Sequence, residues 1–201
     1  MRNSDKRKEI LQAALLLIAE HGFHGAPMSM IADRAGVGAG TIYRYFESKE
    51  ALITELYREL EGRLLSCLRE GYSDADPIRV RFLHVGAAVM RYFIANPLHF
   101  RYMEQYMNSP FGIALKRERL IGQADEGSLF FQSIFEEGMA QEVLKELPIF
   151  MHFALSFGPL IVLIRDHILG LLSLDDAGIA QVIEACWDGV RRTGAAGIPS
   201  N

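Results

Sequence analysis

The chain has 201 residues, of which 50% are hydrophobic and 23% charged, with a formal net charge of −4. That composition supplies a sizeable globular core and excludes a disordered or fibrous chain. Two widely separated cysteines, Cys67 and Cys186, exclude a disulfide framework, and neither they nor the histidines at 21, 24, 84, 99, 152 and 167 show metal-ligand spacing.

No signal peptide is legible, because the apolar run Leu15–Ala19 is short and lacks a cleavage motif. The most apolar stretch, Ile149 to Leu172, is interrupted by His152, Pro159, Arg165, Asp166 and His167. It reads as a buried helix rather than a membrane span, so a cytoplasmic protein is expected. Residues 1–50 carry seven Lys/Arg and six Asp/Glu, against fourteen and nineteen in the remainder. The acidity therefore belongs to the longer C-terminal part. The small basic cluster Arg2, Lys6, Arg7 and Lys8 reads either as a solvated helix start or as a phosphate-contacting one.

In chain order, Ile10, Ala13, Ala14, Leu17 and Ile18 set an apolar stripe at helical spacing between Ser4 and Glu20, with Gly22 as the stop. A short helix is expected over Met28–Ala35, with Pro27 at its first turn, and another over Ala39–Tyr45. Ser48 then caps a long helix carrying Leu52, Leu56, Leu60, Leu64 and Leu68. After a turn at Ser73–Pro77, helices are expected over Ile78–Ala95, Leu98–Met107, Ile113–Gln123, Glu126–Met139, Ile149–Leu171 and Asp175–Thr193. No segment alternates with period two, and only the tail Gly194–Asn201 reads as disordered. The expected fold class is all-α, with an N-terminal three-helix domain over 1–50 and a helical domain over 51–201.

The most informative segment is Ile31-Ala-Asp-Arg-Ala-Gly-Val37 followed by Gly38-Ala-Gly-Thr-Ile-Tyr-Arg-Tyr-Phe46. A helix-turn-helix needs a small residue where its helices cross, which Ala32 supplies, and a left-handed turn four residues later, which Gly36 supplies without a steric penalty. Ile42 then returns into a small core with Ile31 and Val37. The outer face of the third helix carries Ala39, Gly40, Thr41, Tyr43, Arg44 and Tyr45. Its glycines allow close backbone approach to a phosphate. Thr41 and the tyrosines can donate to phosphates or pack on thymine methyls, and Arg44 can donate to guanine. Lys49 can pair with a phosphate beside the next helix start.

Residues 10–56 resemble the DNA-binding domain of the tetracycline-repressor (TetR) family of transcriptional regulators. The resemblance runs through Ile10, Ala13-Ala14, Gly22-Phe23, Ile31-Ala32, Ala35-Gly36-Val37, Gly40 to Phe46 and Ser48-Lys49-Glu50-Ala-Leu52. It implies nine or ten helices, a homodimer on palindromic double-stranded DNA, and a small-molecule effector pocket in the C-terminal domain. A ligand-responsive repressor is the expected function. One departure is Ala26, where many members carry Thr or Ser as a cap for the second helix; Ser29 is the candidate to take over the phosphate contact.

The C-terminal part is less diagnostic. Phe93, Tyr102, Met103, Tyr106, Phe130 and Phe135 read either as pocket lining or as ordinary helical core. By resemblance, the last two helices would pair with their copies in a dimer through Phe157, Leu160, Ile161, Ile164, Ile183 and Trp187; the alternative is that they complete the monomer core. A nucleotide loop at Gly36–Gly40 would need a preceding strand, which is missing. No nucleophile–base or carboxylate pair is legible, so neither catalysis nor a cofactor is expected. The other reading is an all-helical small-molecule binding protein without regulated DNA binding.

Overall fold

In the computed structural model, which describes residues 2–120 and 125–193, every regular element is an α-helix. The ten helices are α1 (Arg2–Gly25), α2 (Met28–Arg34), α3 (Ala39–Tyr45), α4 (Lys49–Arg69), α5 (Ile78–Ala95), α6 (Pro97–Met107), α7 (Pro110–Leu120), α8 (Glu126–Ala140), α9 (Ile149–Ile168) and α10 (Asp176–Val190). They form two compact units, one of residues 2–64 with 96–120 and one of residues 65–95 with 125–193. The compact units thus cut the chain elsewhere than residue 50: α6 and α7 pack with the N-terminal helices. The expected tail and the end of the seventh expected helix lie outside the described residues.

The first unit is built on the α1 stripe. Ile10, Ala14 and Ile18 are fully buried with Ile31, Ala32, Ile42 and Leu52. Each buried Ile or Leu contributes roughly 1.5–3 kcal/mol relative to exposure. Gly22, at φ 73°, interrupts α1. Ser48 Oγ accepts from Ala51 N–H at 3.1 Å, the expected cap of α4. The Tyr102 ring on α6 is wholly enclosed and its hydroxyl donates to the Ile53 carbonyl at 2.7 Å. Tyr106 stacks on Tyr57 with ring centres 4.0 Å apart, and Phe23 meets Tyr102 edge-on. Burial pushes both the Tyr57 and Tyr102 phenols well above their ordinary pKa, so both stay protonated donors.

The second unit packs α5, α8, α9 and α10 around Phe82, Val85, Val89, Phe135, Leu160, Ile164, Ile183 and Trp187. Gly86 permits the α5–α10 approach: a Cβ there would lie 2.9 Å from Ile183 Cγ2. Asp175 caps α10 by accepting from Gly178 N–H at 2.8 Å, so the helix begins one residue later than its spacing predicts. It ends at Val190 because Arg191 pairs with Leu144 in an isolated antiparallel bridge. α9 stops at Ile168, before Gly170 at φ 75°, and the His167 ring accepts from Leu174 N–H at 3.1 Å beyond it. α7 begins at Pro110, three residues before the expected start, because proline suits the first helical turn.

α9 is the one helix among the described residues long and apolar enough to cross a membrane. The sequence predicts it buried. Only one stripe is: His152, Ser156, Leu160 and Ile164, at four-residue spacing, turn inward. Phe150, Met151, Leu155, Ile161, Val162 and Leu169 are exposed.

Candidate nucleic-acid interface

The α2–turn–α3 element follows from three local choices. Ala32, fully buried, lets the helices approach. Gly36 adopts φ 62°, which an L side chain resists by roughly 1–2 kcal/mol. Val37 N–H then returns to the Ala32 carbonyl at 3.0 Å, closing the turn. Ile42 is fully buried and anchors α3, which fixes the opposite face outward.

That outward face carries the residues expected from the sequence. Ala39, Gly40, Tyr43 and Arg44 are exposed, and Thr41 and Tyr45 are half-buried. Tyr43 is 54% exposed, a large share for an aromatic ring in a packed element. No side chain caps α3 at Gly38, and the Thr41 N–H closes its first turn on the Gly38 carbonyl at 2.8 Å. Ser29 is exposed on the first turn of α2. Pro27, not residue 26, occupies the N-cap of α2, and Ala26 is fully buried behind it; the departure at Ala26 is a packing choice and no side chain caps α2.

Three cations read from the sequence as possible phosphate contacts also have internal roles. The Lys49 ammonium donates to the Phe23 carbonyl, tying the start of α4 to the end of α1. Arg7 pairs with Glu55 and lies 5.4 Å above the Phe46 ring, and Lys6 pairs with Glu9 at 2.7 Å. The first-helix basic cluster is therefore partly committed to holding the head together.

The candidate pocket residues fall into different units. Tyr102, Met103 and Tyr106 pack with the core of the first, where Tyr102 and Tyr106 are buried. Phe93, Phe130 and Phe135 belong to the second. Of the candidate dimer residues, Leu160, Ile164, Ile183 and Trp187 are buried within the single chain. This corrects the expectation for those four: they complete the unit's own core. Ile161 is exposed and Phe157 half-buried. A helix with large apolar residues on every side does not reveal through them which side its own core takes, so the exposed stripe Met151, Leu155 and Val162 was missed. His152 and Ser156 were missed too; two polar residues four apart inside an apolar run are the signal that marks them. Cys186 is buried and Cys67 half-buried, both free, and burial raises both thiol pKa values, away from reactivity.

Comparison with known proteins adds a decisive observation. The family model for bacterial regulatory proteins of the tetR family matches residues 10–56, and the tetracyclin repressor-like C-terminal domain model matches residues 77–191, more than half the chain. The chain belongs to the TetR family. A TetR family transcriptional regulator protein from Vibrio parahaemolyticus is 32% identical, with a TM-score of 0.74 over 94% of this chain and 100% of that one. A TetR family transcription regulator from Marinobacter aquaeolei has the same fold, with a TM-score of 0.83 over 96% and 100% of the two chains at 23% identity. The fatty acid metabolism regulator protein of Bacillus subtilis is 42% identical over 65 residues, 32% of this chain and 34% of that protein. Such matches to curated relatives span about a third of their length.

Proposed function

We propose that the chain is a ligand-responsive, sequence-specific DNA-binding transcriptional regulator, acting in the cytoplasm as a homodimeric repressor that a small apolar effector releases from its operator. The observation that carries this reading is the α3 face, with Thr41, Tyr43 and Arg44 outward over a fully packed Ile42 anchor. Residues 1–50 supply the reading head, and the remainder supplies effector binding and dimerisation.

The exposed apolar stripe of α9, Met151, Leu155 and Val162, supports self-association, since a two-fold dimer presents two α3 helices to successive major grooves. A Bacillus subtilis FadR structure of similar fold was solved with stearoyl-CoA, which supports a small-molecule effector for this chain as well. Release requires that the effector bind the two conformers with different affinity.

The test is binding of the purified protein to the DNA upstream of its own gene across a salt series. Tight, salt-steep, sequence-selective binding at dimer stoichiometry is expected. Weak binding that ignores sequence, there and on a genome-wide selected DNA pool, refutes the reading.

A further inference from the structure

Inside the second unit, two buried polar side chains each keep one polar atom unanswered among the described residues. His152 and Ser156 sit one turn apart on the buried face of α9, at 0% and 1% exposure. Among the described residues, His152 Nδ1 and Ser156 Oγ are buried without a hydrogen-bond partner. Buried polar atoms are almost always satisfied, so a pair of orphans on one helix face marks a place where a partner is missing.

The polarity of that partner follows from the other ring nitrogen. His152 Nε2 lies 3.1 Å from the Lys145 carbonyl, which only accepts, so Nε2 carries the proton. Burial holds the ring pKa below its ordinary value, so the neutral form is the resident one. Nδ1 is therefore a bare acceptor, and beside it the Ser156 hydroxyl both donates and accepts. The ring also stacks on Phe135, at 5.0 Å and 15°. From there a phenylalanine cluster continues outward: Phe153 lies 5.3 Å from Phe135, and Phe131 5.0 Å from Phe157. Phe131, Phe153 and Phe157 are only half-buried, so the cluster leads from the polar pair to the surface.

We infer that His152 and Ser156 form the polar end of a ligand site between α8 and α9, selecting an apolar molecule with an uncharged, donor-bearing head. A hydroxyl, a carboxamide or an undissociated carboxylic acid gives a hydrogen to Nδ1 and exchanges one with Ser156, while its body rests on the Phe131, Phe153 and Phe157 rings. A carboxylate, phosphate, ester or thioester offers only acceptors and leaves Nδ1 unanswered. The assignment deepens the ligand-responsive reading and rests on it for the effect on DNA.

The experiment uses the full chain with decan-1-ol, methyl decanoate and decanoate as probes, read by calorimetry. In parallel, long-range proton–nitrogen spectra of the histidine rings report tautomer and Nδ1 hydrogen bonding, with His152 assigned by substitution. Expected results are an Nε2–H tautomer in the free protein, and a His152 Nδ1 shift on adding decan-1-ol but not methyl decanoate. Decan-1-ol should bind at least about fivefold tighter than either acceptor-only probe, and Ser156→Ala should remove most of that preference, roughly one hydrogen bond's worth. His152→Phe should lose it altogether; Ser156→Ala keeps the test sound if that variant misfolds. Equal binding of alcohol and ester, an Nδ1–H tautomer, or no response beyond that of an enclosed water overturns the assignment. A gel-shift series on the same samples separates the two readings. DNA binding without probe binding refutes the site alone. Selective probe binding that leaves DNA affinity unchanged supports the site and refutes its role as effector site.

Discussion

Removing either partner of the ion pair between Arg81 and Glu137 should have unequal costs. Arg81 Nη1 donates to Glu137 at 2.5 Å, its Nε to the Tyr72 hydroxyl at 2.8 Å, and its Nη2 reaches Asp74 at 3.4 Å. The Arg81 side chain is 1% exposed, whereas that of Glu137 is 43% exposed. Burial opposes the guanidinium charge, but the bonds from Glu137 and Tyr72 outweigh it and hold the pKa above its ordinary value. Glu137→Gln leaves a dehydrated cation with Asp74, itself mostly exposed, as its remaining anion, and should destabilise by about 2–3 kcal/mol. Arg81→Met fills the same channel with apolar volume and leaves Glu137 free to rehydrate, which should cost about 0–1.5 kcal/mol. Urea unfolding at one fixed protein concentration measures both, because self-association would otherwise shift the midpoints. The combined variant should cost less than the sum. If Arg81→Met proves as costly as Glu137→Gln or worse, the argument that the buried partner sets the penalty is wrong.

Four further outcomes are expected. Tyr43→Ala should abolish sequence-selective DNA binding while circular dichroism and melting temperature stay unchanged; retained selectivity would remove α3 as the reading element. Lys49→Ala should lower the salt slope by about one phosphate per head. It should also destabilise the head by roughly 0.5–1.5 kcal/mol through loss of the bond to the Phe23 carbonyl, and an unchanged slope would confine Lys49 to that internal role. Leu155→Glu on the exposed α9 stripe should yield monomers in sedimentation equilibrium, whereas Gln181→Glu, exposed on α10, should not; a dimeric Leu155→Glu protein would put the interface elsewhere. Burial lowers the pKa of both His152 and His99, so the unfolded chain takes up protons first as pH falls from the ordinary 6.5. Stability should then decline from 6.5 down through the folded-state values, and His152→Phe should flatten part of that slope in pH-dependent unfolding.

The helical order was legible because it is written in short-range terms. The four-residue spacing of Ile10, Ala14 and Ile18, the glycine at 36 and the serine at 48 each act through a few neighbouring residues, so α3, α5 and the cap of α4 fall where their patterns place them. The reading face was legible for the same reason: once Ile42 must point inward, helical geometry turns Tyr43 and Arg44 outward.

The tertiary structure decided what depends on residues distant in sequence. Tyr102 and Tyr106 read either as pocket lining or as core until α6 is seen against Ile53 and Tyr57, where both rings are consumed by the core of the first unit. Lys49 reads as a phosphate ligand in the sequence, and only the fold adds its bond to the Phe23 carbonyl. α9 carries large apolar residues on every side, so only packing against α5 and α10 selects Leu160 and Ile164 for the interior and leaves Leu155 and Val162 outside. The same packing draws His152 and Ser156 into that interior with two polar atoms unanswered. Local spacing sets where a helix starts, stops and turns its side chains; which face its neighbours take is a property of the assembled fold.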